Sequence, residues 1–361
     1  MTFFLKISFL TILIIKLTLF FWIKSNYPDF EFLGKDSDYY DQFALGAQVE
    51  ASSIWPTLLR WLNEYGLYNR AWVSLVLFLI TNVGVPVIFS KLLVSTTQPI
   101  NNKKIHFWLF SVALSCYPTI YLYSLDLYRD GFMLLLFGFL LHVVVKLKKL
   151  KSNIGIYKLY IYVLLAFLVY FFWLLRPYLG FSILVALLLS QINYSKFKLN
   201  YMLIGYFLIL LIFNSAGLFD SIFIYRSGEV FEGGGSTLGI NLLDASKVSF
   251  LLLYIYSAFL QFFGFFINSF GSLGLFIIES LPFMLSCLYV CKNRAMHTRF
   301  IKFVLLFNLI YATIWVMAND NLGTAIRLRT YNYASMYLVA YSLYIRKISE
   351  SNKILRERRL T

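Results

Sequence analysis

The sequence predicts an all-α membrane protein, a polytopic bundle of about ten transmembrane helices, eleven if one doubtful stretch also crosses, with both termini cytoplasmic. Three observations predict it. The 361 residues are 60% hydrophobic, 20% aromatic and only 14% charged, and their mean hydropathy is +0.72, far outside the range of soluble domains. The apolar residues gather in blocks of about 16 to 22, the length a helix needs at ~1.5 Å per residue to cross roughly 30 Å of hydrocarbon. The basic residues alternate between the connections, so the two sides of the membrane differ in charge.

The blocks are residues 2–23, 71–90, 107–124, 131–147, 159–175, 179–193, 201–218, 274–291, 301–318 and 331–346, forming a single integral membrane domain over 1–361. The first resembles a secretory signal, but Lys16 lies in its middle and no small-residue cleavage site precedes Lys24, so it reads as a retained span. Starting inside, the chain places Lys91, Lys103 and Lys104, then Lys146 to Lys158, then Lys196 and Lys198, then Lys292 to Lys302, and finally the tail from Arg346 to Arg359 in the cytoplasm. Every short cytoplasmic loop then obeys the positive-inside rule. Of the 17 acids, all but Glu279, Glu350 and Glu357 fall on the outer side. The net charge of +15 is therefore a cytoplasmic skin for anionic lipid, with no implication of nucleic acid.

Two outer segments are long: a loop over residues 24–70 and a second over 219–273. Within the second, the apolar stretch 250–270 reads as a re-entrant or interface-lying helix, because an eleventh span would move Lys292 to Lys302 outside. Its Gln261, Gly264 and Asn268 lie near one helical face and suggest a wet rim. Cys116, Cys287 and Cys291 are odd in number and sit in apolar blocks or at their ends, which argues against a disulfide framework. Cys287 and Cys291 share a helical face, but only His297 is near them, so packing accounts for them better than a metal site.

Chemistry is concentrated in four outer segments. Asp36, Asp38 and Asp41 fall within six residues in Asp36-Ser37-Asp38-Tyr39-Tyr40-Asp41; such a run can ligate a divalent cation, supply a general base, or form a solvated acidic turn. Residues 51–65 follow with helical apolar spacing and read as a helix along the bilayer surface. Tyr128-Arg129-Asp130-Gly131 is a tight turn between spans, where the Arg–Asp pair either forms a salt bridge or lines a polar cavity. Arg176-Pro177 separates two spans with no acid nearby in sequence, an arrangement that suits an anionic ligand or lipid phosphate. The fourth segment is split: Tyr225 and Arg226 precede a glycine-rich run (Gly228, Gly233, Gly234, Gly235), and Arg327 and Arg329 precede the last span. That run is a weak phosphate cradle or a flexible gate. Arg327 and Arg329 diverge on a helix and share a side on an extended chain.

His106, His142 and His297 all map to the cytoplasmic half, so a general base on the outer side must be Asp or Glu. Glu279 is the lone mid-span acid, which weakens a proton-coupled transporter reading. The cytoplasmic loops are too short for a nucleotide-binding domain. An outward cavity with arginines for a phosphate group, carboxylates for hydroxyl activation and aromatic faces for sugars fits glycan transfer from a polyprenyl diphosphate.

The chain resembles the Wzy-type polymerases of O-antigen and exopolysaccharide repeat units. The resemblance rests on Asp36-Ser37-Asp38-Tyr39-Tyr40, Tyr128-Arg129-Asp130-Gly131, Leu175-Arg176-Pro177-Tyr178, Tyr225-Arg226-Ser227-Gly228 with its trailing glycines, and Leu322-Gly323-Thr324-Ala325-Ile326-Arg327-Leu328-Arg329. It implies a GT-C-like membrane glycosyltransferase of the bacterial inner membrane that serves lipopolysaccharide or related polysaccharide biosynthesis, with its active site facing the periplasm. Undecaprenyl diphosphate-linked glycans would be donor and acceptor, with no cofactor and with a chain-length regulator as a further partner. Its catalytic residues would be Arg327, Arg226, Asp38 and Asp36; Arg176, Arg329, Arg129, Asp130 and Tyr225 would hold the lipid diphosphate or glycan, with no metal. O-antigen ligases share this architecture but use an outer histidine, which this chain lacks. The alternatives are a GT-C transferase using a polyprenyl monophosphate sugar, with Asp36 or Asp38 central and a divalent metal as an option, and a lipid-linked oligosaccharide flippase.

Overall fold

The protein is described by a computed structural model covering residues 1–27, 36–48, 50–97, 102–149, 155–192, 199–227, 237–243 and 247–358. These residues form helices joined by short turns, with no strand among them beyond an isolated bridge between Thr237 and Asn321. In chain order the helices are α1 (Thr2–Asn26), α2 (Asp36–Ala44), α3 (Ile54–Glu64), α4 (Arg70–Leu79), α5 (Val85–Thr96), α6 (Lys103–Ser115), α7 (Pro118–Leu122), α8 (Asp130–Lys149) and α9 (Ile156–Leu175). They continue as α10 (Pro177–Leu189), α11 (Leu199–Ser215), α12 (Asp220–Ser227), α13 (Lys247–Gln261), α14 (Phe270–Leu275), α15 (Leu281–Lys292), α16 (Arg299–Ala318) and α17 (Leu322–Arg358).

Local sequence sets the ends. Asn69 caps α4 by accepting from the Ala71 and Trp72 amides at 3.0 and 3.2 Å, and Ser53 and Thr298 cap α3 and α16 in the same way. Prolines open α7 and α10, where a missing N–H costs nothing. Two helices are wound more widely in the middle: a π turn at Ile80–Gly84 joins α4 to α5, and another at Phe276–Ser280 joins α14 to α15. In each case a proline, Pro86 or Pro282, follows two residues beyond the turn. A proline inside a regular helix lacks the donor and collides with the carbonyl four residues back, and the wider turn absorbs both faults.

Among the described residues, six helical units are long and apolar enough to cross a membrane: Thr2–Asn26, Arg70–Thr96, Asp130–Lys148, Ile156–Leu175, Phe270–Lys292 and Arg299–Ala318. Counting α11 with α12, bent by 83°, makes seven. The chain is thus an all-helical multi-pass membrane protein, and these units match six of the ten expected blocks. The other four differ for identifiable reasons. Pro118 divides block 107–124 into α6 and α7. Block 179–193 is the 13-residue α10, whose length of about 20 Å falls short of the hydrocarbon thickness. Block 201–218 turns sharply after Ser215. Block 331–346 lies within α17, 37 residues long, which is more polar because it runs through the bundle rather than against lipid.

α17 packs on α5, α15 and α16, and its residues are buried on every side from Leu328 to Ser335, including Arg329, Thr330, Asn332 and Ser335. Its polar groups bind one another. Trp315 donates to Asn332 at 3.2 Å, Asn332 donates to Asn308 at 3.0 Å, and Asn308 donates to Ser335 at 2.9 Å. Within hydrocarbon such hydrogen bonds lock α16 to α17. α1, by contrast, is peripheral; only Phe9 and Phe20 are buried along it.

The expected helix at 250–270 is α13, and it ends earlier than its apolar run. Gly264 takes a φ of +73°, a left-handed conformation that suits glycine and turns the chain. A Cβ there would lie 2.5 Å from Arg329 Nη1 and 2.4 Å from Ser280 Oγ. Gln261 is buried, bonding Ser257 at 2.7 Å and the Asn319 carbonyl at 2.9 Å, so it is not part of a wet rim with Gly264 and Asn268, which lie beyond the helix.

Candidate functional site

The expected site residues at the α2 and α3 end of the bundle are brought together by the turn between α7 and α8. α7 and this turn are held from two sides by the π-wound helices. From one, Asn82 donates to Ser124 at 2.8 Å and accepts from Lys16 at 2.8 Å. From the other, Glu279 accepts from the amide and hydroxyl of Thr119 at 2.7 and 2.8 Å. α8 then starts against the first π turn so closely that a Cβ on Gly131 would lie 1.9 Å from Thr81 Oγ1. The glycine of Asp130-Gly131 is a packing requirement.

The acidic run of the first long loop lies on α2, whose C-terminal end is clasped by Arg60. That guanidinium donates to the Phe43 and Ala47 carbonyls at 3.0 and 2.7 Å and stacks over the Phe43 ring at 3.9 Å. Because α2 is helical, its carboxylates diverge. Asp36 pairs with Arg327 at 2.6 Å, whereas Asp38 and Asp41 pair with Arg70 at 2.7 and 3.6 Å. The three carboxylates do not converge on one point, and among the described residues no group of three or more His, Cys, Asp or Glu is placed to hold a metal.

One cluster is built on Asp126. It accepts from Arg70 at 2.9 Å, from Ser74 at 3.1 Å and pairs with Lys24 at 3.1 Å. Burial works to raise its carboxyl, but the hydrogen bonds from Arg70 and the charge of Lys24 outweigh that and hold it below the ordinary carboxylate range. A carboxyl whose folded value is depressed contributes stability above its unfolded value near ~4 and loses it as pH falls through the lower folded value. Wild-type protein in detergent is therefore expected to lose thermal stability on acidification below about pH 4, and Asp126→Asn is expected to be less stable at neutral pH with a shallower acid loss. An identical acid profile in both proteins would contradict this.

The second cluster contains most of the expected site. Arg327 lies over the rings of Tyr123 and Tyr128 at 5.5 and 5.7 Å while bound to Asp36. Asp130 pairs with Arg176 at 3.0 Å and lies in the combined field of Arg176, Arg327 and Arg129. Arg129 donates to Ser53 at the head of α3. Arg176, 6% exposed, keeps Nε and Nη1 without a protein partner, as Arg129 keeps Nε. Thr81, Thr119, Tyr123, Asp130, Arg327 and Tyr331 line a cavity of ≈ 10 Å³, room for about one water. Three guanidinium groups thus meet two carboxylates, and donors are left over.

Other expected residues lie apart from this cluster. Arg226 is buried and saturated: it donates to the Ile240, Val316 and Met317 carbonyls at 3.1, 2.8 and 3.3 Å, to Ser257, and to Asp320. Asp320 in turn accepts from the Gly239 amide at 2.7 Å. Tyr225, its neighbour on α12, is 59% exposed. Arg329 pairs with the buried Glu279 at 3.5 Å, on the other side of α17 from Arg327. Asp38 belongs to the Arg70 group. Gly228 and the glycines at 233–235 lie outside the described residues.

Arg70, Asp126 and the Thr119–Glu279 clamp were not singled out from sequence. Arg70 was visible as another arginine outside the positive-inside trend, directly after the Asn69 cap. Asp126 and Thr119 carried no such signal. No family model, curated protein or solved structure matches the chain.

Proposed function

We propose that the chain is a membrane-embedded glycosyltransferase that polymerises glycan units carried on undecaprenyl diphosphate, at the periplasmic face of the bacterial inner membrane. The observation that carries this reading is the convergence of Arg129, Arg176 and Arg327 with Asp36 and Asp130 at one end of the bundle. The segregation of lysines and arginines toward the opposite end supports the orientation, and a GT-C-like architecture is part of the reading.

In this mechanism an acceptor hydroxyl oxygen attacks the anomeric carbon of the donor glycan. The bond from that carbon to the diphosphate oxygen breaks, its electron pair leaves with the diphosphate, and the hydroxyl proton passes to a carboxylate. Arg327 and Arg176 neutralise the developing diphosphate charge, since a guanidinium offers paired donors to phosphate oxygens. Asp36 suits the role of base because its side chain is 48% exposed and so open to an acceptor. Tyr123 and Tyr128 are buried beneath Arg327, and Tyr178 lies beneath Arg176, so these rings hold the two guanidinium groups in place.

Asp36→Asn is expected to lower transfer by about 10²-fold or more, the contribution of a general base, at unchanged protein level; unaltered activity would remove Asp36 from the chemistry. The pairing of Asp36 with Arg327 also favours a second reading, a transferase using a polyprenyl monophosphate sugar with the same carboxylate as base. Gene deletion followed by gel analysis of surface polysaccharide separates the readings. Loss of a polymerase leaves single repeat units on the lipid core, loss of a transferase leaves an incomplete unit, and loss of a flippase leaves none.

A further inference from the structure

A lateral groove of ≈ 620 Å³ opens between α6, α15 and α17, and its wall is overwhelmingly apolar, with Phe110, Pro282, Tyr337, Ala340 and Tyr344 among its lining. At one end it reaches Tyr117, a side chain 5% exposed whose hydroxyl has no hydrogen-bond partner. The same end abuts the buried ion pair, since Tyr337 donates to the Glu279 carbonyl and Tyr117 lies in the field of Glu279 and Arg329. Nε of Arg329 is also unpartnered. An apolar trough ending at an unsatisfied hydroxyl, with a buried ion pair behind it, is the shape of a site for an amphiphile rather than for a neighbouring apolar helix.

The groove and the charged cluster are separated by very little. Thr119, two residues beyond Tyr117, lines the small cavity shared by Arg327 and Asp130, and the same Thr119 clamps Glu279. Along α17, Arg327 faces the cluster, Arg329 holds the partition, and Tyr337 to Tyr344 line the groove. From Arg327 to Tyr344 the helix rises about 25 Å, most of the ~30 Å hydrocarbon core. A phospholipid anchored at the Arg327 end fills its own leaflet, about 15 Å deep, and its chains end before the far part of the groove. A polyprenyl chain is long enough to continue.

We propose that this groove holds the isoprenoid tail of the polyprenyl phosphate-linked substrate, with the phosphate at Arg327 and with Thr119, Glu279 and Arg329 forming the partition over which the tail passes. The assignment rests on the function proposed above for the substrate's chemical class. The tail itself adds only apolar contact, so Arg329 and Glu279 keep their pairing and Glu279 stays held by Thr119.

The test is photolabelling of the full-length protein in phosphatidylglycerol and phosphatidylethanolamine vesicles, using polyprenyl monophosphate with a diazirine at mid-tail. Label is expected on α6, α15 and α17 peptides that line the groove, with loss when unlabelled polyprenyl monophosphate is added and no loss with added phosphatidylglycerol. Ala340→Trp and, independently, Ser286→Phe fill the groove and are expected to lose that label. Label confined to other helices, equal competition by phosphatidylglycerol, or full label in both folded variants overturns the proposal. Labelling requires no turnover, so a labelled groove in a protein without transferase activity refutes the function alone, and activity with an unlabelled groove refutes the groove alone.

Discussion

Arg327→Ala is expected to abolish chain extension, with a rate loss on the order of 10² to 10³, the cost of removing one preorganised charge stabiliser from a transfer site. The protein should still insert and accumulate. Arg327 is tied to the described residues by the Asp36 pair and a 3.4 Å contact to Thr324, and Asp36 is exposed enough for water to replace its partner. Arg327→Lys should recover little, because an ammonium cannot reproduce the paired donors of a guanidinium. Assaying surface polysaccharide length alongside membrane protein level checks both statements. Normal polymer length in Arg327→Ala would remove the phosphate role from this residue.

Arg226→Ala is expected to act through stability instead. Its guanidinium joins α12, the 237–240 segment, α13 and the α16–α17 junction through the Ile240, Val316 and Met317 carbonyls, Ser257 and Asp320. Removing it strands a buried carboxylate and three carbonyls, and breaking a buried ion pair from one side typically costs about 3–5 kcal/mol. A lowered midpoint in thermal unfolding and reduced accumulation should accompany any loss of polymer. A variant of wild-type stability that makes no polymer would return Arg226 to the chemistry, the role that the resemblance implies for it.

The contrast between these two arginines shows how far the sequence could be read. Hydropathy and charge identified the helical membrane class and six of the spanning units, because both follow from the solvent. The same measure found only residues 331–346 of α17, because Arg327 and Arg329 before that stretch and the charged residues after it carry no apolar signature although the helix runs on through them. The expected site was legible as residues that broke the positive-inside trend. Their partners were not, because pairing depends on tertiary position: Arg176 with Asp130 spans 46 residues, and Arg327 with Asp36 spans 291. Arg327 and Arg329 show this most plainly, for once their segment is known to be helical they must diverge, one toward Asp36 and the other toward Glu279.

The most direct measurement is transfer by the purified protein in nanodiscs, supplied with a single lipid-linked repeat unit on undecaprenyl diphosphate and no nucleotide sugar. A ladder of lipid-linked multimers, with undecaprenyl diphosphate released in step and absent in Arg327→Ala, is the expected result. Unchanged single units with folded wild-type protein, or multimers formed equally by Arg327→Ala, would contradict it.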